Sequence, residues 1–479
     1  MLSQDEFRQY GHAMIDWIAD YLEKIEDFPV KSTMEPGALR QQLPQEAPYT
    51  GEKMDVIFSE FKKYIPEGLT HWQHPGFMAL FPSNSSFASV LGELLAAGVG
   101  INAMMWDTSP SATELEETVM EWLRKASGLP EGWKGVIQDT ASASTLTAIL
   151  TAREKCTQFN INAHGFAEHA DLLVYCTAHT HYSIEKGAKA AGFGADHVIK
   201  IPTDNTYAMR ADALEERIIA DLKAGKKPCI VIATLGTTGT LAFDPLKDIA
   251  TICDRYGIWL HVDAAYAGSA FILPEYQHYL DGITLADSYV FNAHKWMFTN
   301  FDCSCYFVKD NSALIHTFSA NPAYLKRTHE AVTQYKDWGL PLGRRFRALK
   351  LWFVLRNYGI SGLQQAIKTH IQYADIIKSF IQTHAHWKIF APPALNVICI
   401  RYVPAVSLTT EELNTLNSVI LNTINQTGKF YLSGTTVDEQ FIIRIVCGGT
   451  WLTEQHLHTL IHTLEDAAQS ACAQLAISA

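Results

Sequence analysis

The chain has 479 residues, 48% of them hydrophobic, 11% aromatic and 18% charged, which excludes a disordered or fibrous protein. It is long enough to bury a large core without disulfide or metal staples. With 38 Lys and Arg against 50 Asp and Glu, the net charge of −12 argues against nucleic acid and anionic lipid as partners.

At the start, Phe7, Met14, Trp17, Ile18, Tyr21, Leu22 and Ile25 share one face at helical spacing, and the opening residues lack the apolar core of a signal peptide. Pro29, Pro36, Pro44 and Pro48 then forbid a continued helix, so an amphipathic helix leads into an extended arm. The longest apolar stretch, Val90 to Trp106, is broken by Glu93 and Asn102, and no membrane span is expected. From about residue 135, β-rich apolar runs (135–138, 172–176, 197–201, 229–234, 258–262, 289–292, 303–308) alternate with segments of helical spacing. That alternation predicts an α/β fold with a mainly parallel seven-stranded sheet covered on both faces. From Gly359 onward the pattern is helices followed by strands at 396–402 and 441–446, as in a small α+β domain. Nine Cys are scattered, several inside apolar runs, and read as free thiols in a reducing cytosol.

Ligands of open α/β sheets gather beyond the carboxyl ends of the strands. One apolar run closes on Asp263, followed by Ala264 and Ala265, as a partner for something flat and cationic; a helix N-cap is the alternative. The next closes on Asn292-Ala-His294-Lys295-Trp296. A lysine in that setting is either a desolvated nucleophile or a snorkelling side chain. Thr140-Ala141-Ser142 open a helix where free backbone N–H groups suit a phosphate, or where a hydroxyl simply caps the helix. His181 follows the 172–176 run, and Thr234 ends the 229–234 run. A carboxylate, an amine, an imidazole, hydroxyls and a phosphate nest are what pyridoxal phosphate asks of a protein.

The segments His179-Thr-His181-Tyr-Ser183, His261-Val-Asp263-Ala-Ala-Tyr-Ala-Gly268, Asn292-Ala-His-Lys295-Trp and Pro341-Leu-Gly-Arg-Arg-Phe-Arg347 resemble the aromatic-L-amino-acid decarboxylases. These belong to the pyridoxal-phosphate-dependent group II decarboxylase family, and the resemblance runs almost end to end. It implies an aspartate aminotransferase-like fold (PLP fold type I) divided into an N-terminal helical and dimerisation arm (1–85), a large cofactor domain (86–355) and a small C-terminal domain (356–479). It also implies a cytoplasmic homodimer with active sites at the subunit interface.

Carried over by position, Lys295 would hold the cofactor covalently, Asp263 would pair with the ring nitrogen and His181 would stack on the ring. Thr140, Ala141, Ser142 and Asn292 would hold the phosphate, with Thr234, Ala265 and His294 completing the surround. Tyr335 matches a tyrosine of the family's mobile loop, which reaches the active site of the partner subunit and there protonates the carbanion; from sequence alone it reads as an amphipathic surface tyrosine. The implied reaction is decarboxylation of a Tyr-, Dopa-, Phe- or Trp-like amino acid to its amine. An aldehyde synthase on the same scaffold is the rival, and a non-aromatic substrate is a further alternative.

The family's ring pocket maps to Trp72, Leu80, Phe81, Pro82, Ser83, Asn102, Met104 and Gly343. Leu80, Asn102 and Met104 replace Tyr, Ile and Phe of animal members, and Asn102 is expected to bond either a ring substituent or a neighbouring backbone group. Asp139-Thr140 replaces Gly-Ser, and Asp139 is expected to face away from the phosphate. A zinc site could be drawn from His179-x-His181 and Cys303-x-Cys305, but the Cys pair lacks the usual ligand spacing, so no metal is expected.

Overall fold

The computed structural model describes residues 2–166, 171–320 and 332–477. They form two compact units: Met1–Pro82 with Ile376–Phe390 and Ile400–Ala479, and Ser83–Asp375 with Ala391–Cys399. The N-terminal arm is therefore no separate domain but half of the first unit. The second unit runs well past residue 355, because the helix Arg347–Thr383 continues through a break at Gly359, whose φ of 65° only glycine adopts cheaply. Among the described residues no helix is long and apolar enough to cross a membrane.

The second unit holds a seven-stranded sheet. Its strands are β1 (Lys134–Gln138), β2 (Leu172–Thr177), β3 (Val198–Ile201), β4 (Lys227–Thr234), β5 (Trp259–Asp263), β6 (Ser288–Asn292) and β7 (Ser304–Val308). The order is β1-β7-β6-β5-β4-β2-β3, with β7 antiparallel to both neighbours and the remaining pairs parallel. Every residue of β2, β5, β6 and β7 is buried, as a sheet covered on both faces requires. All seven runs read from sequence are strands, each within two residues of its expected ends.

On one face the helix Ala141–Cys156 lays Ile149 and Ala152 against Val174, Ile230 and Ile232. A further cluster joins Val136, Val290, Tyr306 and Leu314 to Tyr335 and Trp338.

A second, four-stranded sheet, drawn mainly from the first unit, is ordered β10 (Ser433–Val437), β11 (Gln440–Val446), β9 (Val397–Tyr402, which runs through the Cys399/Ile400 boundary) and β8 (Trp387–Ile389). Its outer strands were not expected from sequence: Ser-Gly-Thr-Thr-Val and Trp-Lys-Ile are too short and too polar to stand out. The arm is sewn to this unit by backbone. Val30 N–H donates to Gly428 O, Met78 N–H to Tyr431 O and Val446 N–H to Met78 O. The helix Gln4–Glu23 is capped by Ser3 and Glu6 in a reciprocal box yet buries none of its residues; Phe7 is 65% exposed.

The core of the second unit contains a histidine that burial holds neutral. His261 is fully buried on β5, its Nδ1 2.9 Å from Ser288 Oγ, and burial lowers its pKa to about 4. The unfolded chain protonates this site near pH 6.5, so its stabilising contribution is complete above that pH and is lost as pH falls toward 4. Urea unfolding is expected to show a falling midpoint below about pH 6.5. In His261→Asn that slope should shrink by about 1.4 kcal/mol per pH unit between pH 6 and 5. An unchanged slope contradicts the neutral buried ring.

Candidate functional site

The parallel strands deliver their terminal residues to one edge of the sheet. Thr234 ends β4 beside Asp263, its register partner at the end of β5, and Asn292 ends β6. The connections beyond are tied to one another: Leu235 N–H donates to Asp263 O and Asn292 N–H to Ala265 O. Asp263, Thr234 and Asn292 are all buried.

Asp263 Oδ1 accepts from Ala265 N–H at 3.0 Å, the carboxylate's single hydrogen bond among the described residues. Buried carboxylates are rarely left so lightly partnered. The Thr234 Oγ1 and Asn292 Oδ1 atoms are buried with no hydrogen-bond partner. Three polar groups at one strand edge thus await something polar.

Lys295 sits half-buried in the helical turn Ala293–Trp296 that follows β6. Its ammonium is close enough to lower the pKa of both His181 and His294. At His181 burial acts first, Lys295 second, and Asp263 opposes them; amine, carboxylate and imidazole share one site. His294 is buried, and burial with the Lys295 charge depresses it to about 3. Cys303 N–H donates to His294 Nδ1 at 2.8 Å, so this ring is a neutral Nε2–H donor. The loop beyond Lys295 is fixed from beneath, where Ser86 Oγ donates to Phe298 O and Asn300 N–H donates to Ser89 Oγ.

Thr140 caps the helix Ala141–Cys156, accepting from Ala143 N–H, and no acidic residue stands in the first turn. The N–H groups of Ala141 and Ser142 are left at the positive end of a 16-residue helix, the arrangement that binds phosphate. Asp139 Oδ1 accepts from Thr140 N–H at 2.6 Å and Thr140 Oγ1 at 3.3 Å. Its carboxylate is therefore engaged by its own neighbour, and it takes one N–H out of the nest.

Sequence reasoning missed the anchor of the flanking segments. Glu116 and Arg344 form a buried ion pair at 2.6 Å; Glu116 also accepts from Ile137 N–H, while Arg344 donates to Ile137 O and Ala103 O. Ala103 N–H donates to Arg344 O, and Arg344 N–H donates to Asn102 Oδ1 at 2.9 Å. Of the two roles open to Asn102, its carbonyl thus takes the backbone one, although the residue is exposed rather than buried. A Cβ on Gly343 would lie 3.6 Å from Asn102 Nδ2, so these two residues are neighbours. Met104 is held by Lys336 N–H, which donates to its carbonyl at 2.7 Å. Ser83 lies half-buried in the same unit. In the first unit, Trp72 stacks on Phe77 at 4.4 Å, Arg444 lies over the Phe81 ring at 4.5 Å, Leu80 is exposed and Pro82 is buried.

Tyr335 departs from expectation. It is 2% exposed, packs against Trp338, lies under the Arg344 guanidinium at 4.6 Å and donates to Gly135 O at 3.3 Å. Gly135 is near the start of β1, whereas the Lys295 cluster is at the strand ends. The surface reading is overturned, and within a single chain this hydroxyl lies away from Lys295, His181 and Asp263; the reach expected of it is into the partner subunit's site. The cysteines of the zinc alternative are buried and His179 packs against Tyr207; among the described residues no cluster of metal-binding side chains forms.

The model of the pyridoxal-dependent decarboxylase conserved domain matches residues 36–403. Phenylacetaldehyde synthase of Arabidopsis thaliana is 41% identical over 478 residues, covering 98% of this chain and 96% of that protein. Tyrosine decarboxylase 4 of Petroselinum crispum is 39% identical over 483 residues, covering 98% and 94%. The solved structure of Oryza sativa TDC with PLP and tryptamine superposes with a TM-score of 0.95 at 34% identity, covering 98% of this chain and 99% of that one.

The residues present fit the cofactor. Asp263 has a carboxylate to spare for a ring nitrogen, Lys295 an amine for the aldehyde, and Ala141 and Ser142 N–H groups for the phosphate. Thr234 Oγ1, Asn292 Oδ1 and the His294 Nε2–H supply further polar partners. The chain belongs to the pyridoxal-dependent decarboxylase family.

Proposed function

We propose that the chain removes the carboxyl group of an aromatic L-amino acid of the Phe, Tyr, Dopa or Trp type, releasing the amine and carbon dioxide, as a cytoplasmic homodimer. The observation that carries the reaction is the meeting of Lys295, Asp263 and His181 beyond the ends of β2, β5 and β6. The aromatic substrate is supported by the names of the relatives and by the size of Gly343, where a side chain would take space from a bulky ring.

Pyridoxal phosphate, when bound, supplies the electron sink for the pair left by the departing carboxylate. Asp263, buried and lightly partnered, would keep a proton on the ring nitrogen and so sustain that sink. Lys295 Nζ would hold the aldehyde and yield it to the substrate amine. The N–H groups of Ala141 and Ser142, beside the Thr140 cap, would hold the phosphate. Lys295 and His181 would serve as donors from the same chain, with Tyr335 serving the site of the partner subunit.

The homodimer is supported by apolar faces that one chain leaves uncovered. The helix Phe87–Val99 exposes Leu91, Leu94, Leu95 and Val99, and the helix Gln4–Glu23 exposes Phe7 and Ile15. Nine free thiols, eight of them buried, support a reducing compartment.

A carbon dioxide release assay over Tyr, Dopa, Phe, Trp, 5-hydroxytryptophan, His and Glu, with pyridoxal phosphate added, tests the reading. Aromatic substrates are expected to give carbon dioxide and amine in equal amounts; release confined to Glu or His would sink the aromatic assignment. The second reading, an aldehyde synthase that consumes oxygen, is favoured by the 41% identity to phenylacetaldehyde synthase. Peroxide and ammonia in step with carbon dioxide would establish it instead. Tyr335→Phe is expected to lower the yield of amine and divert part of the product to aldehyde, because the donor to the partner subunit's site is lost; amine output at the wild-type rate would remove Tyr335 from the reaction. Light scattering of the full chain checks the dimer, and a fully active monomer contradicts it.

A further inference from the structure

Ser183 opens the helix Ser183–Ala190, is buried, and has no role in the reading above. Its hydroxyl lies 2.7 Å from His181 Nδ1, and its backbone N–H points at the same nitrogen from 3.3 Å. A backbone N–H can only donate, so Nδ1 is an acceptor and the ring proton resides on Nε2. His294 provides the internal comparison: there Cys303 N–H reaches Nδ1 at 2.8 Å and suffices alone. At His181 the backbone bond is long and the short contact belongs to the hydroxyl, so the hydroxyl decides how the ring is held. Lys295 and Asp263 are the charged groups that act on this ring, and burial keeps it neutral ahead of either.

We propose that Ser183 is a positioning residue that fixes His181 as the neutral Nε2–H tautomer, so that His181 faces cofactor and substrate as a hydrogen-bond donor and not as a base. The inference rests on the pyridoxal-dependent reading of the site. It leaves His181 able to donate a proton and unable to accept one, because the Nε2 of a ring so held has no lone pair to offer. The hydroxyl, unlike the backbone N–H, can turn and stay bonded if the ring shifts, which is why a serine and not merely a small residue is needed here.

The test uses holoenzyme labelled with ¹⁵N-histidine, the His181 signals being those lost in His181→Gln. Wild type and Ser183→Thr are expected to show protonated Nε2 and acceptor Nδ1 at neutral pH. Ser183→Ala should move the Nδ1 signal toward mixed tautomers and lower kcat about ten-fold, with KM within about two-fold of wild type. An Nδ1–H tautomer or an imidazolium in wild type overturns the proposal. So does Ser183→Ala with wild-type ring signals and kcat. If Ser183→Ala fails to fold, the ring signals of wild type and Ser183→Thr still decide. Because the ring is read without turnover, the expected tautomer in a chain that releases no carbon dioxide would sink the decarboxylase reading and leave this one standing.

Discussion

Asp263 is a carboxylate at the end of a strand that is buried on both faces, and its surroundings are arranged around the cost of keeping it there. The protein meets only part of that cost, through a single N–H from Ala265. It leaves Thr234 Oγ1 and Asn292 Oδ1 equally unsatisfied on the neighbouring strand ends. Groups buried this way are destabilising until something bridges them. The fold accepts the penalty because the seven-stranded sheet is rigid and covered on both sides, so these atoms cannot relax toward water or toward each other. A cofactor that is cationic at one end and anionic at the other would relieve them together.

The parallel topology also explains why groups far apart in sequence meet. The parallel strands β4, β5 and β6 close on Thr234, Asp263 and Asn292 at one edge, and the helix Ala141–Cys156, which follows β1, begins there. The net charge of −12 has little to do with this island. Recognition of an anionic phosphate would fall to the backbone N–H groups of Ala141 and Ser142, while Asp139 is bonded to Thr140 N–H.

Much of this was legible in the sequence, and for one reason. Runs such as Ile258–Val262 and Tyr289–Asn292 are apolar without alternation, and a polar residue closing such a run has one place to go. What stayed hidden is set by contacts between distant segments. Tyr335 reads as amphipathic, but Arg344 and Trp338 enclose it. Arg344 reads as one charge among several in Gly-Arg-Arg-Phe-Arg, but Glu116 buries it; the nearest signal was that both fall within segments resembling the family. The arm reads as free-standing, yet Val30 and Met78 join it to the small sheet through backbone bonds, which carry no side-chain signature. Ser183 is one more serine after a histidine until the distances to Nδ1 are known.

The most direct measurement of the central claim is the site of cofactor attachment. Holoenzyme is reduced with borohydride, digested, and the pyridoxyl-bearing peptide identified by mass. The account predicts a single modified residue, Lys295, in the peptide that contains His294 and Trp296. Label on the buried Lys350 or on any other lysine, with Lys295 unmodified, would contradict it.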